Sequence, residues 1–425
     1  MFFREIDMST NIVFLLFCAG LVGLGGVAFV LSRAKATRVR ATGTSMYAQP
    51  DQYGWFAVLT TAGPALLISA LGAFVLLLMG ADIPLLYLLA ASLVIAAIGL
   101  VLGLNQVRPD FHARRAIESV IRKLLAAAAA ISILTTLGIL ISIVGEALRF
   151  FQLHSFWDFI TGTTWNPGAS FLSSAGRGED GGSAAQFGSV PLFAGTFMIT
   201  LIAMLVAIPV GLGAAVYMVE FAPARVRQAA KPVLEVLAGI PTVVYGVFAA
   251  LTVAPLVVDI AGLFGLEASY SNALAPGLVM GIMIIPFISS LSDDVINSVP
   301  SSLREGALAL GITKGEMVRN VVVPAAAPGI ISASLLAVSR ALGETMIVVM
   351  AAGMRPNLTA NPLEDMTTVT VSIVAALTGD QEFGSAQTLS AFALGLVLFI
   401  VTLTLNIVSV IMIRRFREKY RVNNL

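Results

Sequence analysis

Residues 85–104 read LLYLLAASLVIAAIGLVLGL, twenty positions without one charged side chain. At about 1.5 Å of rise per residue, a helix of this length crosses a hydrocarbon core of roughly 30 Å. The strict polar/apolar alternation of a membrane β-strand is missing from it. The remainder of the 425-residue chain follows suit, with 58% hydrophobic and 12% charged residues, where soluble domains carry about a quarter charged. Eight further apolar segments stand at Asn11–Leu31, Phe56–Met79, Leu124–Gly145, Phe193–Met218, Val233–Leu256, Leu274–Leu291, Ile330–Ala351 and Leu389–Ile413. The sequence therefore predicts an all-α integral membrane protein of about nine transmembrane helices, and it argues against a nucleic-acid binder.

Orientation is read from where the basic residues fall, because loops on the cytoplasmic side retain Lys and Arg. With the N-terminus outside, 20 of the 25 basic residues face the cytoplasm, in five clusters around Arg33–Arg40, Arg108–Lys123, Arg225–Lys231, Arg304–Arg319 and Arg414–Arg421. Only Arg4, Arg149, Arg177 and Arg355 fall outside, and Arg340 falls within a span. The expectation is an inner-membrane, multi-pass chain with its N-terminus out and its C-terminus in. The single cysteine, Cys18, follows a bulky Phe17 and is expected to be a packing residue, with the N-terminus retained. No CxxC pair or His/Cys cluster is present, so neither a metal nor a redox centre is expected.

The basic segment Asn105–Lys123 is the natural divide between a three-span N-terminal extension, residues 1–123, and a six-span core, residues 124–425. The stretch Ser173–Ser189, rich in Gly and Ser, reads as a mobile external loop. Thr367–Leu377 reads as a short helix lying at the interface. Pro209, Gly239-Ile240-Pro241, Pro255, Pro276 and Pro286 interrupt the core spans. Broken helices at membrane depth survive where protein or a water-lined cavity satisfies the freed backbone groups, which favours a transport pathway; the plainer alternative is that proline is simply commoner in membrane helices.

Between the seventh and eighth spans, in a loop of about 292–329, residues 301–324 read SSLREGALALGITKGEMVRNVVVP. A capped short helix, a turn at Gly311, a second short helix from Thr313 and a closing Pro324 make a helix-turn-helix on the membrane surface. Such a unit, held between two spans, suits a lever on which a soluble partner pushes. Its spacing resembles the EAA loop of ABC importer permeases, with Glu305, Gly306, Ala307, Gly311, Val321, Val323 and Pro324 at the motif positions. Gly306 departs from the usual Ala, at about 1 kcal/mol of helix propensity. The chain carries no G-x-x-x-x-G-K-[ST] phosphate loop, so no cofactor is expected in it; ATP-Mg would bind to a partner ATPase.

Within the eighth span Arg340 and Glu344 are four residues apart and are expected to share a helix face as an ion pair. A charge at that depth is costly unless it finds a partner or water. One reading makes Arg340 a planar fork for a tetrahedral oxyanion, with Glu344 holding it when the pathway is empty; the other makes the pair a structural brace between helices.

Residues 124–425 resemble the phosphate importer permeases of the PstC type. The likeness rests on Thr163–Pro167, Phe187–Pro191, Ile208–Gly213, Tyr217–Pro223, Leu237–Gly246 and Arg340–Met346. It implies a second, PstA-like permease, a cytoplasmic ATPase dimer and a phosphate-binding protein as partners, in the lipid bilayer. It also implies a transport subunit without an ATPase site of its own. An importer for another oxyanion (sulfate, molybdate or phosphonate) and a membrane component of a phosphate-sensing complex remain as alternatives. A secondary transporter is disfavoured, because it would need ionisable residues in several spans.

Overall fold

A computed structural model describes residues 3–79, 85–168, 186–378 and 384–421. Much of the Gly/Ser-rich stretch read as a mobile loop, with Arg177, lies outside these residues. Among the described residues, nine helices are long and apolar enough to cross a membrane. The chain divides into two compact units, Met1–Leu137 and Gly138–Leu425.

The first unit contains α1 (Phe3–Ala41), α2 (Pro50–Met79), α3 (Leu85–Asn105) and the start of α4 (Ala113–Leu153). Helices α2 and α3 approach closely at Gly99, where a Cβ would collide with the Thr60 carbonyl. At the basic end the Tyr53 hydroxyl donates to the carbonyls of Arg108 and Phe111, at 3.1 and 2.8 Å. Lys35 Nζ donates to the Leu104 carbonyl at 2.7 Å. The Lys35 bond takes up a carbonyl in the last turn of α3, and the Tyr53 bonds pin the loop between α3 and α4. The two units join inside α4 rather than at residue 123. No Gly or Pro interrupts 113–137, and the five alanines at 126–130 favour helix most strongly of all. Residues 118–139 of α4 are exposed on every face, as in a span that meets lipid or helices of another chain.

The second unit is built on α6 (Val190–Val216) and α10 (Leu274–Asn297). Small residues bring them together: a Cβ at Gly281 would stand 2.9 Å from the Ala203 carbonyl oxygen, as is usual where membrane helices pack on backbone. Around this pair stand α7 (Ala224–Gly239), α8 (Thr242–Phe248), α9 (Ala254–Leu263), α11 (Ser301–Ala309), α12 (Lys314–Met317), α13 (Val323–Leu342), α14 (Met346–Ala351), α15 (Val369–Leu377) and α16 (Ala386–Arg421). A buried serine pair ties α13 to α16, with the Ser332 and Ser409 hydroxyls 2.6 Å apart and each also donating to the other's carbonyl.

Several spans run past their sequence limits, as the first to Ala41 and the fourth over Ala113–Leu153, and two are reorganised. The sixth runs Thr242–Leu263, because Ile240 and Pro241 leave the helical region and release Val233–Gly239 into the amphipathic α7. The eighth runs Lys314–Leu342 and stops at Gly343, with α14 a separate short helix. Nor does α15 lie on the surface. Val369, Thr370, Val371 and Ala376 are buried, and the Val369 amide donates to Thr196 Oγ1 on α6 at 3.0 Å.

At the end where α4 finishes, α5 (Phe156–Thr161) and a two-residue ladder of β1 (Trp165–Asn166) with β2 (Gln186–Phe187) close over an aromatic cluster. Phe150 meets Phe159 and Phe187 edge-on at 5.5 and 5.3 Å. Ser189 Oγ donates to the Phe159 carbonyl at 2.7 Å and fixes the entry to α6. His154, one residue beyond α4, packs on Phe150 and Phe187 at 4.9 and 4.7 Å, and burial lowers its pKa below the ordinary 6.5. The native state thus prefers the neutral imidazole, a contribution complete above 6.5 and lost as pH falls through the lowered value. Histidine NMR on the full chain should show His154 titrating below 6.5, with faster amide exchange at Ser189 as it protonates. A pKa at or above 6.5 would contradict this.

Candidate functional site

The loop that carries the sequence signal forms a rigid corner. Pro300 occupies the N-cap of α11 without a side-chain cap bond, and Gly311 takes φ +82° at the turn, a conformation open to glycine at little cost. Thr313 and Glu316 then form a capping box, the Thr313 amide donating to Glu316 Oε2 at 2.9 Å and the Glu316 amide to Thr313 Oγ1 at 3.3 Å. Lys314 Nζ lies 5.3 Å from the Phe221 ring centroid.

Pro324 does not close the unit as the sequence suggested. Helix α12 continues through a π-turn at Val318–Val322 into α13, with the proline in the first turn of α13. The wider turn delivers the Val323 amide to the Val318 carbonyl just before the residue that has no N–H to give. The same device recurs twice: the π-turn Tyr217–Phe221 precedes Pro223, and the π-turn Ala249–Val253 precedes Pro255. In each case the proline follows the last π residue by two.

Of the motif residues, Ala307 is buried, Val321 and Val323 are half-buried, and Glu305, Gly306, Gly311 and Pro324 are exposed. The outer surface also presents Leu303, Leu308 and Leu310, the last 85% exposed. An acidic group and three exposed leucines on one short helix and its C-cap make a surface suited to a protein partner.

The inner anchor of this corner escaped the sequence reading, which counted Arg304 only as a loop charge and used Glu220 only as part of a segment. Arg304 Nε donates to Glu220 Oε1 at 2.9 Å, Nη2 to the Ile296 carbonyl at 2.7 Å, and Nη1 to the Val299 carbonyl. Both side chains are largely buried, 19% and 7% exposed. One guanidinium therefore ties α11 to the last turn of α10 and to the π-turn after α6, taking up carbonyls freed at a helix end.

Arg340 and Glu344 are not an ion pair. Helix α13 ends at Leu342 with Gly343 as its cap, so Glu344 leaves the helical path and the four-residue spacing no longer places it on the same face. Its Oε1 accepts the amides of Met346 and Ile347 at 3.2 and 3.5 Å, at the N-terminus of α14. Arg340 is exposed, and its guanidinium carbon sits 5.4 Å from the Phe287 ring centroid.

Arg340 lines a cavity of about 270 Å³ between α7, α10 and α13. Its walls carry charges that sequence reasoning did not single out: Arg227, Lys231 and Glu235 on α7, and Asp293 on α10. Arg227 Nη2 lies 3.2 Å from Asp293 Oδ1, and Lys231 Nζ lies 3.9 Å from Oδ2. Two signals were available: the four-residue spacing of Arg227, Lys231 and Glu235, and the polar run Ser289-Ser290-Leu291-Ser292-Asp293-Asp294 inside an apolar span.

Replacing Arg304 by Ala removes the guanidinium from Glu220 and from the Val299 and Ile296 carbonyls, the latter keeping the Val299 amide. At about 1.5–3 kcal/mol for a bond to a charged group, amide exchange across Ser301–Ala309 should accelerate at least tenfold in the full chain, while α15 stays protected. Unchanged exchange in α11 would remove Arg304 as the anchor.

Two family models match the chain. One, described as "Binding-protein-dependent transport system inner membrane component", covers residues 207–422, which include the cavity and the corner; the other, described as "Phosphate ATP-binding cassette transporter", covers residues 18–80. Phosphate transport system permease protein PstC 1 of Mycobacterium tuberculosis is 37% identical over 290 residues, 63% of this chain and 84% of that protein. PstC of Mesorhizobium japonicum is 34% identical over 291 residues, 65% and 84% of the two chains. The probable ABC transporter permease protein YqgH of Bacillus subtilis is 32% identical over 283 residues, 66% and 86%. A multi-pass bundle with an exposed corner helix and a charged cavity, matched along its core at this level, belongs to the binding-protein-dependent inner-membrane permeases, and within them to the phosphate ABC importer permeases of the PstC type.

Proposed function

We propose that this chain is one of two permease subunits of an ATP-driven importer that carries inorganic phosphate into the cytoplasm. The observation that carries the reading is the exposed α11 corner, anchored by Arg304 to the ends of α10 and α6. A push on Glu305 and its leucine neighbours reaches both central helices through one guanidinium. The partners this requires are a PstA-like second permease, a cytoplasmic ATPase dimer that binds ATP-Mg, and a phosphate-binding protein. The distribution of basic residues supports the corner facing the cytoplasm, with the N-terminus outside and the C-terminus inside. The division into an N-terminal extension and a permease core belongs to the same reading, with the three-span extension serving packing or assembly.

In this scheme Arg340 meets the substrate. Its exposed, permanently charged fork matches a tetrahedral oxyanion, and it has no carboxylate partner among the described residues to compete with one. Glu344 shapes the pathway differently from the pairing first expected, holding the start of α14 where the span breaks. An importer for a different oxyanion uses the same fork and is distinguished by substrate competition.

The test is ATP-dependent uptake of labelled phosphate into vesicles holding the whole complex. Arg340→Gln should lower uptake about ten- to hundredfold, the value of a lost charge-assisted contact. Glu305→Lys should abolish uptake and stimulated ATP hydrolysis together while the four subunit types still co-purify. Uptake of sulfate in place of phosphate, or uptake that persists without ATP, would overturn the assignment.

A further inference from the structure

The cavity beside Arg340 is furnished beyond what one arginine needs. Phe287, which carries the Arg340 contact, and Asp293 are six residues apart on α10, about 9 Å along the helix. The space therefore runs from Arg340 toward the end of the bundle where α11 sits. Asp293 is 6% exposed, yet its two cationic partners are open, with side chains 38% and 53% exposed. Of the Arg227 guanidinium nitrogens only Nη2 has a partner among the described residues. Ser289 Oγ, on the same wall, is fully buried and has no hydrogen-bond partner. Glu235 is the second carboxylate on the wall, so three cations face two anions.

A bridge made only to pin α7 on α10 accounts for none of the space, the spare guanidinium donors or the orphaned hydroxyl. Buried polar atoms normally find partners, which Ser289 Oγ lacks, and spare cationic donors beside a nearly buried carboxylate suit an anionic ligand. We propose that this cavity is a second oxyanion site, between Arg340 and the α11 end, in which Arg227, Lys231 and Ser289 receive phosphate. The Asp293 carboxylate holds the two cations when the site is empty. The inference rests on the reading of the chain as a phosphate permease and adds a step to it. Phosphate that leaves Arg340 replaces Asp293 as the partner of Arg227 and Lys231. The displaced carboxylate, a like charge at close range, then competes for the same cations and drives the anion onward. Each cation keeps an anionic partner at every stage, first Asp293 and then phosphate.

The probe is labelled inorganic phosphate, bound at equilibrium to the intact complex in lipid nanodiscs without the binding protein, alongside ATP-driven uptake by the same preparations. Asp293→Asn, which removes the competitor and keeps the shape, should bind phosphate about tenfold more tightly and take it up more slowly. Arg227→Gln should bind about tenfold more weakly. Ser289→Ala, which breaks no existing bond, should weaken binding several-fold and serves if the charge variants fail to assemble. Native affinity in these variants, or weaker binding in Asp293→Asn, overturns the second site while leaving phosphate import standing if the native complex still imports. A native complex without ATP-driven phosphate uptake overturns both.

Discussion

One guanidinium holds the working parts of this molecule in register. Arg304 reaches Glu220 at the end of α6 and the carbonyls of Ile296 and Val299 at the end of α10 from a helix whose outer face is exposed. A lysine in its place could not serve three acceptors in a planar fan, whereas the forked head can. Because α6 and α10 also pack backbone on backbone at Gly281, a displacement of α11 is delivered to the centre of the bundle. The alternative, a corner attached only through its flanking chain, would let α11 swing without moving the spans.

The second organising constraint is the demand of the membrane that every backbone group be satisfied. Three prolines in the core, Pro223, Pro255 and Pro324, each follow a π-turn by the same offset. At Pro255 and Pro324, where the helix continues, the wide turn absorbs the register change that a missing N–H would otherwise impose, whereas at Pro223 the helix ends. The turn before Pro324 lets α12 pass without interruption into α13, so the outer corner and the helix carrying Arg340 form one rod. Where the chain does break, at Ile240-Pro241 and at Gly343, the breaks free α7 to present Arg227, Lys231 and Glu235, and turn Glu344 away to cap α14. The cavity thus follows from where helices stop as much as from which residues line it.

The number of spans was legible in the sequence because hydropathy reports length directly, and the corner was legible because its glycine, capping residues and motif spacing are local. What the sequence misplaced depended on non-local facts. The Arg340–Glu344 pair was inferred by extending helical periodicity across Gly343. Val233–Gly239 was assigned to a span because apolar content alone does not show that Pro241 begins the helix. Pro324 reads as a stop in sequence, although a π-turn upstream places it in the first turn of α13 inside a continuous span. Arg304, Glu220 and Asp293 were missed because a charge in a basic loop or at a span end is ordinary in composition. Only folding reveals that Arg304 and Glu220, 84 residues apart in sequence, meet in a buried pair.

Rigid transmission from α11 to α10 is measured most directly by pulsed-EPR distances between labels at Asn297→Cys and Ala309→Cys, in a chain whose only cysteine, Cys18, is replaced by Ser. In the assembled complex the distance should be the same without nucleotide and in the ATP-trapped state, and should broaden and shift only when Arg304→Ala is added. A distance that changes with nucleotide in the chain with Arg304 intact, as much as it does without it, would contradict the lever.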